Sequence, residues 1–294
     1  MKKLISLICT LIIGLSLVGC TNNKTNNEKK DGKLNVVVSF YPLKEFTENI
    51  GGDKVEVKSL VPDGSEPHDF EPKTKDLEEL LKSDIFIYNG LGLEDWVSKV
   101  INASDGKVKE IVDSSKGVNK IETDGKLDPH IWLSLKEAQI QCGNIKDALI
   151  QVDEKNKDYY EKNYQDYIKK LQGLYDENKD RFSKLTNKDF ITGHEAFGYL
   201  CRDFGLNQKS VEDVFGEGEV TPQKLKDLVD YCKQNNIKTI FMESLASPKV
   251  SETLAKEVGA KVEKIYTMES QEDNKTYLQA AKENLDKIYN ALNN

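Results

Sequence analysis

The sequence predicts an α/β protein of two lobes with parallel sheets joined by one long rigid helix, and three observations carry that expectation. Short β-branched runs alternate with amphipathic helical stretches in the first half. The same alternation resumes in the second half, and between the two lies a long, charged and nearly Gly-free helical stretch. Strands separated by helices pair in parallel, because the helix supplies the crossover that a parallel pair needs. At 294 residues the chain is long enough to bury a real core without disulfides.

In order, residues 33–40 read Lys-Leu-Asn-Val-Val-Val-Ser-Phe, a β-branched strand, and the amphipathic stretch 43–50 stops at Gly51-Gly52. Strands follow at 55–61, 85–89 and 107–112, with helices over 74–82 and 94–102. Ser134-Leu-Lys-Glu137 has capping-box spacing and opens a helix to about Ile150. The long helix runs from Asp153 to about Arg181, with Tyr160, Tyr164, Tyr167, Leu171 and Leu174 on one stripe. Strands at 189–192, 209–214, 238–242 and 261–266 then alternate with helices at 195–204, 222–235, 248–258 and 275–292. Thr221-Pro222 and Ser247-Pro248 each set a hydroxyl cap before Pro at the first helical position.

The first 20 residues are of another kind. Met1-Lys2-Lys3, an apolar run over 4–18 and Gly19-Cys20 describe a secretory signal, and Leu17-Val-Gly-Cys20 looks like a bacterial lipobox that lipidates Cys20. The polar stretch after it reads as a flexible tether. The expected division is therefore a signal peptide at 1–19, lipidated Cys and tether at 20–33, an N-terminal lobe at 34–150, a connecting helix at 151–185 and a C-terminal lobe at 186–294. After the N-terminus no apolar run approaches the roughly 20 residues that span a bilayer. The formal charge of -8, nearer -10 once Lys2 and Lys3 leave, argues against a nucleic-acid partner.

With Cys9 in the signal and Cys20 lipidated, Cys142, Cys201 and Cys232 remain, an odd number that cannot be a complete disulfide framework. Pairing of Cys201 with Cys232 stays open beside burial as small apolar residues. None has C-x-x-C spacing, so a thiolate metal or redox site has little support.

The chain has only three histidines, and each follows Pro or Gly in a loop or at a strand-to-helix turn. His68 lies in Asp63-Gly-Ser-Glu-Pro-His-Asp-Phe-Glu-Pro72, His130 in Asp128-Pro-His-Ile-Trp-Leu133 and His194 in Gly193-His-Glu-Ala-Phe-Gly-Tyr199. Their spacing is far too wide for a zinc finger or a helical H-x-x-x-H, so if they meet, they meet across the cleft between lobes. Three imidazoles and one carboxylate would complete a four-coordinate shell for Zn²⁺ or a similar ion.

These segments, together with Lys275-Thr-Tyr-Leu and Asn284-Leu, resemble the zinc and manganese solute-binding lipoproteins of ABC importers, the cluster A-I or metal-adhesin family. The resemblance runs from about residue 34 to 294 and implies two Rossmann-like lobes on a long helix with one metal ion in the interlobe cleft. It puts His68, His130 and His194 at ligand positions. It also puts Glu269, in Ile265-Tyr-Thr-Met-Glu-Ser270, where many relatives carry Asp; Glu272 and Asp273 are the neighbouring alternatives. Glu243 reads as a hydrogen-bonded cleft residue. Members that resemble manganese binders usually have Glu at the place of His194, so three nitrogens and one carboxylate favour Zn²⁺, with Mn²⁺ the alternative. Many zinc binders also carry a His-rich acidic loop before the residue matching Asp128; residues 113–127 have no His, and Glu122, Asp124 and Asp128 read as a solvated loop.

The resemblance thus implies an extracytoplasmic receptor, anchored to the membrane by lipid on Cys20, that hands one divalent cation to an ABC permease and works as a monomer without catalysis. Its affinity is expected to fall as pH drops through the histidine range. A zinc hydrolase is the other class, but Glu195 is the one obvious base candidate and His194-Glu-Ala-Phe-Gly198 lacks the second His of H-E-x-x-H. Family members are often called adhesins, though no repeat array here points to a host ligand.

Overall fold

The computed structural model describes residues 32–123, 125–214, 221–243 and 248–293; the signal segment, Cys20, Asp124 and Ser247 lie outside them. A first sheet consists of β1 (Leu34–Val38), β2 (Val55–Ser59), β3 (Ile85–Tyr88) and β4 (Glu110–Asp113), parallel throughout and ordered β2-β1-β3-β4. Next, β5 (Glu122–Thr123) and β6 (Lys126–Leu127) make a small antiparallel hairpin in a stretch that reads as loop. The second sheet, β7 (Asp189–Thr192), β8 (Asn207–Ser210), β9 (Thr239–Glu243) and β10 (Lys261–Ile265), is again parallel and ordered β10-β9-β7-β8. Numbered from its own first strand, each sheet has the order 2-1-3-4. The direction of winding reverses between the first and third strands, which is where open parallel sheets leave a crevice at their carboxyl ends.

Helices α1 (Tyr41–Gly51), α2 (Thr74–Leu80) and α3 (Val97–Ser104) serve the first sheet. Helices α4 (Leu135–Val152) and α5 (Lys157–Ser183) follow, then α6 (Gly198–Phe204), α7 (Pro222–Gln234), α8 (Pro248–Val258) and α9 (Tyr277–Leu292). The 27 residues of α5 extend for about 40 Å at 1.5 Å per residue. Of the expected stripe, Tyr160, Tyr167, Leu171 and Leu174 are buried, joined by Tyr175 and Phe182, against α1, α4 and α9. Side-chain alternation divides each sheet between two cores. Val36 and Val38 face the large central core, whereas Val37 joins Phe86, Trp96 and Val100 beneath α2 and α3. In the second sheet Phe190 and Phe241 face the central core, while Ile191 and Ile240 pack with Leu228 and Leu254 beneath α7 and α8. The central core draws on both sheets, and from Lys33 onward the chain packs as one compact unit.

Several expected boundaries shift: β4 starts at Glu110 rather than 107, and three others have a hydrogen bond to account for them, from a side chain to the backbone at α3 and α6 and between backbone groups at β8. Strand β8 is 207–210 rather than 209–214: Asn207 N–H donates to Lys188 O and starts a polar edge strand that hydrophobic patterning does not reveal. Helix α6 starts at Gly198 rather than 195, since Phe197 N–H donates to Gln208 Oε1. Helix α3 starts at Val97 rather than 94, with Glu94 folded back to accept from Asn89 N–H and Gly90 N–H. Ser134 caps α4 as expected, accepting from Lys136 N–H and Glu137 N–H, but Glu137 pairs with Arg202 instead of closing the box. Cys142, Cys201 and Cys232 are free and buried, so Cys201 and Cys232 do not pair. Among the described residues no helix is long and apolar enough to cross a membrane.

Candidate metal centre

His130 is held by a turn with several polar groups engaged. Asn89 Nδ2 donates to Pro129 O at 2.8 Å, and Tyr199 Oη donates to Asp128 O at 2.8 Å. The Asp128 carboxylate accepts from His130 N–H at 2.9 Å and lies 2.8 Å from His130 Nδ1. When Asp128 is ionised its carboxylate only accepts, which puts the ring proton on Nδ1 and leaves the Nε2 lone pair facing the other way. Asp128 is 1% exposed, which corrects its reading as part of a solvated loop. The available signal was a carboxylate two residues before a histidine with Pro between them, a spacing that lets one side chain reach both the backbone and the ring.

His194 follows β7, at the switch point of the second sheet. Glu243, at the end of the adjacent β9, accepts from Gly193 N–H at 3.2 Å and His194 N–H at 3.1 Å. Thr192 Oγ1 and Gln208 Nε2 donate to His194 O at 2.7 and 2.9 Å. Both ends of this residue's backbone are therefore pinned, and Glu243 is the hydrogen-bonded cleft residue that was expected.

His68 comes from the loop after β2 and completes the cluster. His130 Nε2 lies 3.2 Å from His68 Nε2 and 3.1 Å from His194 Nε2. Four ligands around zinc at 2.0–2.1 Å would be about 3.3 Å apart, so these two pairs of imidazole nitrogens lie close to tetrahedral spacing. Glu269 lies in the segment after β10, where Asn284 of α9 bonds both the N–H and O of Tyr266, and Trp132 Nε1 donates to Thr267 O at 2.8 Å. Glu269 is 2% exposed; Thr267 Oγ1 donates to its Oε2, while Oε1 has no hydrogen-bond partner among the described residues.

The alternatives to Glu269 are engaged elsewhere. Glu272 Oε1 accepts from Met268 N–H, and Asp273 pairs at the surface with Lys264 and Tyr266. Glu66, which sequence reasoning did not single out, groups instead with His68 and Glu269: one ligand atom from each lies within 4.8 Å of the others. Being two residues from His68 was its only sequence signal. A cleft of about 570 Å³ leads to His68 past Asp95, Asp113, Lys120 and Lys126.

Burial decides the protonation states. It pushes His68 down to about 2 and His130 and His194 to about 3, helped for His68 and His194 by the neighbouring imidazoles. Burial thus disfavours the protonated rings, which keeps their lone pairs available to a cation and shifts proton competition at the rings below the ordinary histidine range. Burial instead raises the Glu269 carboxyl well above its usual range, with the Glu66 charge adding to it, and raises Glu243 and Asp128 to about 7.

Comparison with known proteins supplies the context. Residues 36–291 match the family model described as zinc-uptake complex component A, periplasmic. The chain is 36% identical to the high-affinity zinc uptake system protein ZnuA of Bacillus subtilis over 313 residues, covering 99% of this chain and 98% of that protein. It is 33% identical over 308 residues to the manganese ABC transporter substrate-binding lipoprotein scaA of Streptococcus gordonii, covering 99% of each. The laminin-binding protein Lmb of Streptococcus agalactiae, titled a bifunctional protein with adhesin and metal transporting activity, superposes with a TM-score of 0.83 at 34% identity, over 88% of this chain and 99% of that one.

Proposed function

The chain belongs to the zinc-uptake complex component A family, and from that premise we propose that it is an extracytoplasmic receptor that captures one divalent cation and delivers it to an ABC permease. Zinc is the cargo in this reading, bound by His68, His130, His194 and Glu269. The observation that carries it is the convergence of three neutral imidazole nitrogens, two pairs of them 3.1 and 3.2 Å apart, in a buried pocket. Burial shifts proton competition at the rings to lower pH, Asp128 fixes the tautomer of His130, and Glu243 holds the turn that presents His194.

In this reading Glu269 joins the three imidazoles as the fourth donor, which would leave no position for an activated water, as suits a binding protein that does no chemistry on its cargo. A manganese receptor is the second reading, favoured by the manganese-named relative. A shell of three nitrogens and one oxygen favours zinc over manganese, which prefers an oxygen-rich shell. Anchoring through lipid on Cys20 and a monomeric working state complete the proposal.

The test is a zinc titration of the mature protein against a competing chelator. His68→Ala, His130→Ala and His194→Ala should each bind more weakly by a factor of a hundred or more, on the order of 3 kcal/mol per ligand lost. Parent-like binding by all three would end the reading. Elemental analysis after Zn²⁺/Mn²⁺ competition should find one zinc per chain, and peptide or ester turnover that vanishes on chelation would support a hydrolase instead.

A further inference from the structure

His68 belongs to two groups of potential ligands at once. On one side its Nε2 faces His130 Nε2 at 3.2 Å, and on the other it lies 4.0 Å from Glu66 Oε1. Glu66, His68 and Glu269 form a second, looser group, with one ligand atom of each within 4.8 Å of the others. The groups differ in chemistry and in access. The first is all nitrogen, with His130 and His194 at 0% and 6% exposure; the second is mostly oxygen, and the Glu66 side chain keeps 34% of its surface in solvent. Independently of Glu66, Glu269 Oε1 is buried without a hydrogen-bond partner among the described residues. Such an oxygen is costly to leave unsatisfied, and a cation satisfies it.

We propose that Glu66 is an entry ligand: with His68 and Glu269 it takes an incoming divalent cation out of water and passes it inward to the three imidazoles. This inference rests on the reading of His68, His130, His194 and Glu269 as the metal shell. A hydrated divalent ion sheds water most readily to a charged oxygen, and Glu66 is the member of the group that solvent reaches. His68 is common to both groups, so transfer inward exchanges the Glu66 oxygen for His130 and His194 nitrogens without releasing the ion. By reversibility Glu66 is also the last contact on the way out. Its loss therefore slows loading and release together.

Trp132, whose ring centroid lies 5.1 Å from that of His130, supplies a fluorescence reporter. Stopped-flow mixing with Zn²⁺ reads loading, and a chase with excess chelator reads release. Glu66→Gln should slow both by about tenfold, equivalent to about 1.4 kcal/mol at the transition state for ligand exchange. Glu66→Asp keeps the charge but withdraws the oxygen and should be slow as well. Asp95→Asn removes a charge from the exposed cleft wall and should load within about twofold of the parent. A fast Glu66→Asp beside a slow Glu66→Gln would reduce Glu66 to a steering charge and overturn the proposal. So would unchanged rates in Glu66→Gln, or a loss of equilibrium affinity as large as that of Glu269→Gln, which would put Glu66 in the final shell. Failure of the shell itself is separate: it shows as parent-like binding in the histidine variants, whatever Glu66 does.

Discussion

Gly193→Ala tests how the second sheet presents its histidine. A Cβ built on Gly193 overlaps Glu243 Oε2, with Glu243 Cδ at 3.4 Å and Ser251 Oγ at 3.5 Å. Nothing in the backbone forbids alanine, because Gly193 is not among the positive-φ glycines; the obstacle is the carboxylate. That carboxylate is 2% exposed and must move by about an ångström to clear the methyl. A shift of this size takes the bonds from Gly193 N–H and His194 N–H, now 3.2 and 3.1 Å, out of range. Two buried backbone donors then go unsatisfied at about 1–3 kcal/mol each, partly offset by local relaxation, so a loss of about 2–4 kcal/mol is expected. The turn that carries His194 moves with them, and zinc affinity should fall by about ten- to a hundredfold, as when an orienting partner of a ligand is lost. In a Glu243→Ala background those bonds are already gone, and Gly193→Ala should cost less than about 1 kcal/mol. Urea unfolding of the four proteins in this cycle, with zinc titration of each, measures the coupling. An equal cost of Gly193→Ala in both backgrounds refutes the reasoning.

Asp128→Asn keeps the shape beside His130 but removes the charge that fixes its ring proton on Nδ1. Zinc affinity should drop by about tenfold or more while the apoprotein keeps its thermal midpoint, and an unchanged titration would dismiss Asp128 as an orienting group. Glu94, 8% exposed, has its carboxyl pushed by burial from an ordinary 4.5 to about 7. Between those values the folded protein keeps a proton that the unfolded chain loses. The group's contribution is therefore full below pH 4.5 and fades as pH rises through 7, by at most about 3 kcal/mol. Glu94→Gln should flatten unfolding free energy between pH 5 and 8, and a slope equal to the parent's would contradict the assignment. With all three body cysteines free and buried, thiol reagents should react only after denaturation, and reductant should leave the melting temperature unchanged.

Much of the fold is written locally. The run Val36-Val37-Val38 states both its strand and its two-sided burial, and the stripe from Tyr160 to Leu174 states a helix with one covered face, because period and polarity are properties of neighbouring residues. The shifted starts of β8, α3 and α6 were not legible, since Gln208, Glu94 and Lys188 act on backbone groups that only the folded chain brings near. The three histidines stood out by scarcity and by their place in turns, and the family motifs named them together with Glu269. Sequence alone does not say which carboxylates are buried. Asp128, Glu122 and Asp124 look alike in a linear chain, yet Asp128 reaches 1% exposure beneath a histidine.

What the sequence by itself determined, then, was the alternation of elements and the ligand types available. What only the tertiary structure decided was their company: the 3.1 and 3.2 Å approaches of imidazoles more than 60 residues apart, the depressed basicity that burial imposes on them, and the presence of Glu66 beside His68 and Glu269. Desolvation and nitrogen-to-nitrogen distance are set by the packing of whole sheets, so no local window of sequence contains them.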